Sequence, residues 1–233
     1  MKVCAVILGG GSGSRMGAKQ NKIFLPLRGV PAIVRAAAPF TGLCAEAVVV
    51  ARPEERDEMT ALLRRYGLDS FVKNVVPGGS TRQESVRHGL DALPGDTDIV
   101  LIHDGARALV TEDVIRRALQ SAVERGSGVA AIPVTDTIKR VGDDGRALET
   151  LNRDELRAMQ TPQAFQLPLL RRAHELAEQD GFLGTDDAAL LEHAGLPVYL
   201  TLGDKENLKL TTPADMAFGE AILTLRREKE ALS

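Results

Sequence analysis

Tryptophan is absent from this chain of 233 residues, and aromatic residues make up only 3% of it. Proteins that bind single-stranded nucleic acids stack bases on aromatic side chains, so such a surface is poorly supplied here. A basic excess is also missing, because 29 Lys and Arg stand against 32 Asp and Glu, for a formal net charge of −3. Since nucleic-acid binders carry a clear positive excess, the composition argues against a nucleic-acid partner.

Long apolar runs and cysteines are scarce as well. No apolar segment of the sequence approaches the roughly 18 residues that a bilayer-spanning helix needs, so no membrane span or membrane partner is predicted. The apolar start, Met1–Leu8, is too short for a secretory signal and runs directly into glycines. Cys4 and Cys44 show no metal-ligand spacing and are expected to be buried free thiols in the cytoplasm.

Apolar strand-like runs alternate with helical stretches along the chain. Val3–Leu8, directly before glycines, is typical of a fully buried parallel strand. Further strands are predicted at 45–51, 71–76, 98–103, 129–134, 198–202 and 208–210, and helices at 31–40, 53–67, 80–93, after Thr111, and at 168–179, 186–194 and 213–229. Repeated βα units of this length predict an α/β fold. We expect one domain over 1–233, a Rossmann-like, mostly parallel twisted sheet with helices on both faces.

Residues 135–165 interrupt this alternation. Thr137–Val141 and Arg146–Leu151 flank Gly142–Gly145, which is typical of a hairpin turn. An exposed hairpin edge invites pairing unless something covers it. We therefore predict a protruding β-hairpin arm over 135–165 and regard a second subunit as one way to cover it.

A glycine-rich segment, Gly9–Gly17, follows the first strand directly. Glycines allow backbone N–H groups to wrap an anion at the carboxyl end of a strand. The segment lacks the Gly-Lys-Ser/Thr of a Walker A loop and the third glycine of a dinucleotide fingerprint. Arg15 within it and Lys22 shortly after it suit a triphosphate, because two cations can neutralise charge as a phosphoryl bond breaks.

A second glycine segment joins the third strand to a helix. Gly79 and Ser80 stand where backbone N–H groups can bind polar groups, and Ser85 lies one turn into the helix, where its hydroxyl suits a base or a ribose. An alternative remains open, since Ser80 and Glu84 would also serve as plain capping residues.

Chemistry-bearing residues also follow the fourth strand. Asp104 leaves the apolar run at the ligand edge of the sheet, where a carboxylate suits Mg²⁺ bound against phosphates. Arg107 suits a second anion, or else forms a local surface pair with Asp104. His103 is expected to be a packed residue rather than a catalyst. Lys209, on a short extended segment, is a further candidate cation.

Catalytic triads and histidine-rich metal motifs are missing, and one reaction class does not need them. A phosphate monoester has its second pKa near 6, so at pH 7 it is largely a dianionic nucleophile. Its attack on the α-phosphorus of a nucleotide needs no general base. Positioning, a metal ion and cations are sufficient.

In this order and spacing, the motifs resemble the 2-C-methyl-D-erythritol 4-phosphate cytidylyltransferase family of the nucleotidyltransferase superfamily. The resemblance covers the chain from Val3 to the final helix. It is carried by residues 11–17, Lys22, 78–86, 103–107, 136–139, 161–165, 185–187 and 207–211. It implies transfer of a cytidylyl group from CTP to the methylerythritol phosphate, a polyol phosphate, with release of pyrophosphate, in the non-mevalonate route to isoprenoid precursors.

The resemblance also implies roles at matching positions. Catalytic roles fall on Arg15, Lys22 and Lys209, and Mg²⁺ binding falls on Asp104. CTP contacts fall on Gly10, Gly11, Ser12, Gly13, Gly79, Ser80, Ser85 and Gly105. Contacts to the methylerythritol phosphate fall on Arg107, Thr137, Arg153, Thr161 and Thr185. The family's arm crosses a homodimer, so Arg153 and Thr161 would reach the neighbour's site.

The chain departs from the family pattern at its Leu8-Gly9-Gly10 loop start and at Asn21, Ile23 and Ala108. The nearest rival is the ribitol-5-phosphate cytidylyltransferase family, which usually shows Asp-Ser-Val-Arg where this chain has Asp-Gly-Ala-Arg at 104–107. A uridylyl or guanylyl transferase is a further enzymatic alternative. A non-catalytic nucleotide-binding regulator, which would bind CTP without releasing pyrophosphate, is the alternative of another class.

Overall fold

A computed structural model of the chain describes residues 1–10 and 21–231. Its strands are β1 (Val3–Leu8), β2 (Pro26–Leu27), β3 (Val30–Pro31), β4 (Glu46–Ala51), β5 (Val72–Pro77), β6 (Ile99–Asp104), β7 (Ser127–Pro133), β8 (Lys139–Val141), β9 (Ala147–Thr150), β10 (Arg157–Gln166) and β11 (Leu200–Leu202). Its helices are α1 (Ala32–Ala37), α2 (Arg56–Arg65), α3 (Arg82–Asp91), α4 (Glu112–Arg125), α5 (Leu167–Gln179), α6 (Asp187–His193) and α7 (Pro213–Ala231).

The main sheet has the strand order β11-β7-β10-β6-β1-β4-β5. Neighbouring strands are parallel except around β10, which runs antiparallel to both β6 and β7. Two further pairs, β2-β3 and β8-β9, stand outside this sheet. The prediction of an α/β fold with a mostly parallel sheet is therefore confirmed.

The central strand β1 explains why helices cover both faces. All its side chains are apolar, and successive side chains of a strand point to opposite faces. Ala5 and Ile7 pack with residues of α1, α2 and α4, whereas Cys4 and Val6 pack with residues of α3, α5 and α6. The carboxyl ends of β1, β4, β5 and β6 consequently meet at one open edge, where ligands bind in sheets of this type.

The strand β10 was not predicted from the sequence. Its residues include Gln160, Pro162 and Gln163, and they show neither the alternation nor the β-branched run of a typical strand. The register shifts between Met159 and Gln163, so that Pro162 lies at an irregularity where a missing N–H is tolerated. Residues 157–165, assigned to the arm from the sequence, thus lie in the main sheet.

The predicted hairpin is present, whereas one predicted short strand is not. As predicted, β8 and β9 pair antiparallel around Gly142–Gly145, and every residue of both strands is exposed. The predicted strand at Leu208–Leu210 is wrong, because this segment forms no ladder. Instead, Leu210 donates its backbone N–H to the carbonyl of Ala106.

Both cysteines are buried and unpaired, as predicted. Burial raises the pKa of the Cys44 thiol to about 12, so this thiol stays protonated and packs as an apolar group. Within residues 1–10 and 21–231, the helices all fall short of the length and apolar character required to cross a membrane.

Candidate active site

A cavity of about 360 Å³ opens at the carboxyl edge of the main sheet, beside the ends of β1 and β6 and the start of α3. The predicted site residues that line it are Gly10, Lys22, Gly79, Ser80, Ser85, Asp104 and Lys209. These residues come from five separate stretches of sequence, and the fold brings them together. The cavity is also lined by Asn21, Thr81 and Arg82, to which the sequence analysis assigned no role.

The Asp104 carboxylate is surrounded by cations. Lys209 Nζ lies 2.8 Å from Asp104 Oδ2, while Arg107 Nε lies 3.9 Å from Oδ2 and Arg82 Nε lies 4.0 Å from Oδ1. Burial alone would raise the pKa of Asp104, but these cations, Lys209 first, lower it to about 2. The carboxylate is therefore ionised at neutral pH, and positive charge around it is in excess. Such a site suits a polyanion.

A buried chain of hydrogen bonds fixes the backbone at Asp104. Asp104 donates its N–H to Thr161 Oγ at 3.0 Å, and Thr161 Oγ lies 2.9 Å from His103 Nδ1. The second ring nitrogen, His103 Nε2, lies 3.2 Å from the carbonyl oxygen of Arg107. Because that carbonyl only accepts, Nε2 carries the proton, and Nδ1 accepts from the Thr161 hydroxyl. Burial lowers the pKa of His103 to about 4, so the ring is neutral and, as predicted, packed.

Thr161 therefore lies elsewhere than the resemblance suggested. Its hydroxyl does not project from an arm toward a neighbour, because it is buried in its own chain against the strand end that carries Asp104. The physical reason is that β10 inserts between β6 and β7 and places Thr161 beside β6.

Arg107 ties segments together instead of lining the cavity. Its Nη1 donates to the carbonyl of Asn207 at 2.7 Å, and its Nη2 donates to the carbonyl of Met159 at 3.3 Å. These bonds fasten the segment that carries Lys209 to the end of β6. The predicted substrate contact of Arg107 stays a prediction.

The turn before α3 is shaped by its own side chains. A Cβ at Gly79 would lie 2.2 Å from Glu84 Cγ, so this close approach requires glycine. Ser85 Oγ accepts from the Gly79 N–H at 3.0 Å and donates to the Thr81 carbonyl at 2.8 Å. Ser80 donates its N–H and its hydroxyl to Glu84 Oε2. The residue that caps α3 is Thr81, whose Oγ accepts the Glu84 N–H, so Ser80 lies one residue before the cap and also lines the cavity.

The structure explains the residues near Lys22 that depart from the family pattern. Asn21 is buried and donates to the carbonyl of Gly9 at 2.8 Å and to Glu55 Oε2 at 2.9 Å. Ile23 packs in the core, and its Cδ1 would lie 2.9 Å from a Cβ at Gly9. Both residues hold in place the short 3-10 helix Lys22–Phe24, whose first residue, Lys22, lines the cavity. Ala108 is buried in a small cluster with Leu27, Ala32 and Leu210.

Other predicted residues lie away from the cavity lining or outside the described residues. Gly105 is packed, since a Cβ there would lie 2.5 Å from Ile33 Cδ1. Thr137, Arg153 and Thr185 are exposed, the first two at the base of the hairpin. Gly11, Ser12, Gly13 and Arg15 fall within 11–20, outside the described residues.

Residues 3–225 match a family model described as "IspD: 2-C-methyl-D-erythritol 4-phosphate cytidylyltransferase". The chain belongs to this family. It is 48% identical over 233 residues to the 2-C-methyl-D-erythritol 4-phosphate cytidylyltransferase of Halalkalibacterium halodurans, covering 99% of both chains. It is 46% identical to that of Geobacillus kaustophilus, covering 95% of this chain and 97% of the relative.

Solved structures of the family share the fold. The 4-diphosphocytidyl-2C-methyl-D-erythritol synthase of Anaerococcus prevotii superposes with a TM-score of 0.84 at 28% identity, over 96% of this chain and 98% of that one. The 2-C-methyl-D-erythritol 4-phosphate cytidylyltransferase of Thermus thermophilus gives 0.78 at 30% identity, over 95% and 98%. The predicted family and the prediction of a nucleotidyltransferase enzyme are confirmed.

The hydrogen bonds of Thr161 generate a prediction. Thr161→Val removes the hydroxyl and leaves the Asp104 N–H and His103 Nδ1 buried without a partner, which should lower the free energy of unfolding by about 1–3 kcal/mol. Turnover should fall as well, because Asp104 loses its fixed position. Urea unfolding and steady-state kinetics measure the two effects. Thr161→Ser keeps the hydroxyl and should stay close to the parent protein; a Val variant that matches the Ser variant in both would contradict this role.

Proposed function

We propose that this member of the family transfers a cytidylyl group from CTP to 2-C-methyl-D-erythritol 4-phosphate and releases pyrophosphate. The observation that carries the proposal is the ionised Asp104, 2.8 Å from Lys209, in a cavity that also presents Lys22 and Arg82. Among the described residues that line the cavity, one carboxylate stands with three cations, Lys22, Arg82 and Lys209. This charge pattern, at the ligand edge of the sheet, suits a nucleoside triphosphate. Family membership supplies the acceptor.

The nucleotide is proposed to lie between the two glycine segments. The cytosine ring lies by Gly79, Ser80 and Ser85, at the turn before α3. The triphosphate is assigned to the glycine-rich segment that contains Gly10, Gly11, Ser12, Gly13 and Arg15. Gly105 lies beneath the nucleotide.

The reaction then needs positioning and charge rather than a general base. An oxygen of the acceptor phosphate attacks the α-phosphorus of CTP in line, a new P–O bond forms, and the P–O bond to the β-phosphate breaks, so that pyrophosphate leaves. The acceptor phosphate is already a dianion near pH 7. Arg15 and Lys22 stabilise the charge that builds on the transferring and leaving phosphates, and Lys209 orients the acceptor.

Magnesium is part of the proposal, and Asp104 is the described residue that would hold it. Among the described residues, no group of three or more His, Cys, Asp or Glu side chains gathers to form a metal site. A lone ionised carboxylate still fits Mg²⁺, which is commonly held by one or two carboxylates together with substrate phosphates and water. When bound, the ion would offset phosphate charge. The residues around it fix the carboxylate and bind the phosphates.

Replacement of Asp104 tests this assignment. Asp104→Asn removes the charge that would hold the metal, so turnover should fall at least tenfold, about 1.4 kcal/mol or more in the barrier, and its dependence on Mg²⁺ should disappear. Titration of pyrophosphate release with Mg²⁺ measures both. Asp69→Asn, at an exposed position, is the matched control. An Asp104→Asn variant with the parent's metal titration would count against the site.

The acceptor and nucleotide are tested by a substrate panel. Pyrophosphate release should be fastest with CTP and 2-C-methyl-D-erythritol 4-phosphate, because the family to which the chain belongs is named for cytidylyl transfer to this acceptor. Ribitol 5-phosphate as acceptor, and UTP or GTP as donor, are the comparison arms. Faster release of pyrophosphate with ribitol 5-phosphate would indicate a ribitol-5-phosphate cytidylyltransferase instead. Binding of CTP without any pyrophosphate would point to a regulator.

We further propose a homodimer in which each hairpin reaches the other subunit. Val141 and Leu148 on the hairpin are 56% and 51% exposed, and a second subunit would cover them. Arg153 Nη1 donates to the Thr135 carbonyl at 3.0 Å, which fixes the arginine at the base of the hairpin. In this arrangement Arg153 contacts the acceptor in the neighbour's site, whereas Arg107, Thr137 and Thr185 contact it within their own subunit.

Mixing two inactive variants tests the shared site. Arg15→Ala and Arg153→Ala should each lower turnover at least tenfold, about 1.4 kcal/mol. In a symmetric dimer, heterodimers of the two carry one intact site, so an equal mixture should recover about a quarter of the parent activity. Pyrophosphate release after subunit exchange measures this recovery. Verified heterodimers without recovery would refute the shared site.

A further inference from the structure

The cavity contains an arginine that the proposed mechanism does not use. Arg82 is the first residue of α3, lines the cavity and is 27% exposed. Its Nη2 donates to Asp187 Oδ2 at 2.7 Å, and the Asp187 carboxylate is fully buried. The guanidinium therefore spans from the interior of the protein to the ligand cavity.

The hydrogen bond determines where Arg82 lies. Its Nε is 4.0 Å from Asp104 Oδ1, beyond hydrogen-bond distance, whereas its Nη2 is firmly bonded to Asp187. Because Asp187 holds the arginine, Arg82 does not collapse onto Asp104. Asp104 remains paired with Lys209, and Arg82 keeps donor capacity toward the cavity.

Asp187 is itself fixed from several sides. It begins α6, where the helix dipole favours negative charge. Its N–H and that of Ala188 donate to Gln163 Oε1 at 3.1 and 3.2 Å. His174 Nε2 lies 3.8 Å from Asp187 Oδ1. Burial raises the pKa of Asp187, but Arg82 and His174 outweigh it and hold that pKa below its usual value.

We propose that Asp187 is a positioning residue that holds the Arg82 guanidinium in place to bind the phosphates of the nucleotide. This inference rests on the proposed function, since it takes CTP to occupy the cavity. A long arginine side chain that is free in solution loses rotamer entropy when it binds a ligand. An arginine already ordered by a buried carboxylate has lost that freedom on folding. Its planar guanidinium group can then donate hydrogen bonds to two phosphate oxygens at once.

A double-mutant cycle on CTP affinity separates positioning from a merely structural role. Asp187→Asn, Arg82→Gln and the double variant are compared with the parent by isothermal titration with CTP. Each single variant should raise the Kd at least tenfold, because loss of either member removes the ordered guanidinium. The double variant should bind CTP no more weakly than the weaker single variant, because both replacements remove one and the same contact.

The chain offers a matched control on the same helix. Arg87 of α3 pairs with Glu178 of α5, and both side chains are substantially exposed, away from the cavity lining. Arg87→Gln removes an equivalent arginine–carboxylate pair, so its Kd for CTP should stay within twofold of the parent value. If Arg87→Gln and Arg82→Gln lose the same affinity for CTP, the loss comes from the change in net charge, and the proposal is overturned.

A conservative variant keeps the test decisive even where Asp187→Asn does not fold. Arg82→Lys keeps the ion pair with the buried Asp187 and the net charge, but it lacks the planar guanidinium group. The proposal expects its Kd for CTP to rise several-fold. An unchanged Kd in Arg82→Lys, or additive losses in the cycle, would overturn it. If the parent protein binds CTP, these results overturn only the role of Asp187 and leave the proposed function in place. If the parent protein binds no CTP, the proposed function is refuted as well.

Discussion

Burial of a negative charge at the end of β6 organises the site. An ionised carboxylate removed from water is costly unless cations and hydrogen bonds compensate it. For Asp104 the compensation comes from Arg82, Arg107 and Lys209, which are far apart in the sequence. One requirement of electrostatics thus collects the start of α3, the turn after β6 and the segment before α7 at a single cavity. The same arrangement leaves an excess of positive charge for a small polyanion.

The antiparallel strand β10 stabilises the groups around Asp104 through its side-chain hydrogen bonds. Three of its polar side chains, Gln160, Thr161 and Gln163, are buried, and each forms hydrogen bonds with groups on another element. Thr161 Oγ accepts a hydrogen bond from the Asp104 N–H, and Gln163 Oε1 accepts two from N–H groups at the start of α6. The Gln160 side chain forms hydrogen bonds with the backbone of the 204–207 segment. A strand placed between β6 and β7 therefore fixes Asp104 on one side and the Asp187 partner of Arg82 on the other. The acidic overall charge of the chain is compatible with anionic substrates because the cations are concentrated locally.

Much of the fold was predictable where periodicity and glycine placement carry the signal. The apolar run of β1, directly before Gly9, predicts a buried parallel strand, and β1 is buried with a cavity beside its end. The ligand loop predicted after it stays a prediction, since residues 11–20 lie outside the described residues. The strand β10 was not predictable in this way, because Pro162 and its glutamines resemble a loop and their burial depends on partners that local sequence does not reveal. The misplacement of Thr161 follows from the same gap.

The sequence by itself determined the family, the fold class and half of the residues that line the cavity, because glycine turns, strand ends and motif order can be recognised in the sequence alone. Only the tertiary structure decided how those residues are held. The hydrogen bond of Arg107 to the Asn207 carbonyl and that of Arg82 to Asp187 each join segments that lie about a hundred residues apart. Such pairings arise from packing and charge compensation, and no local pattern encodes them.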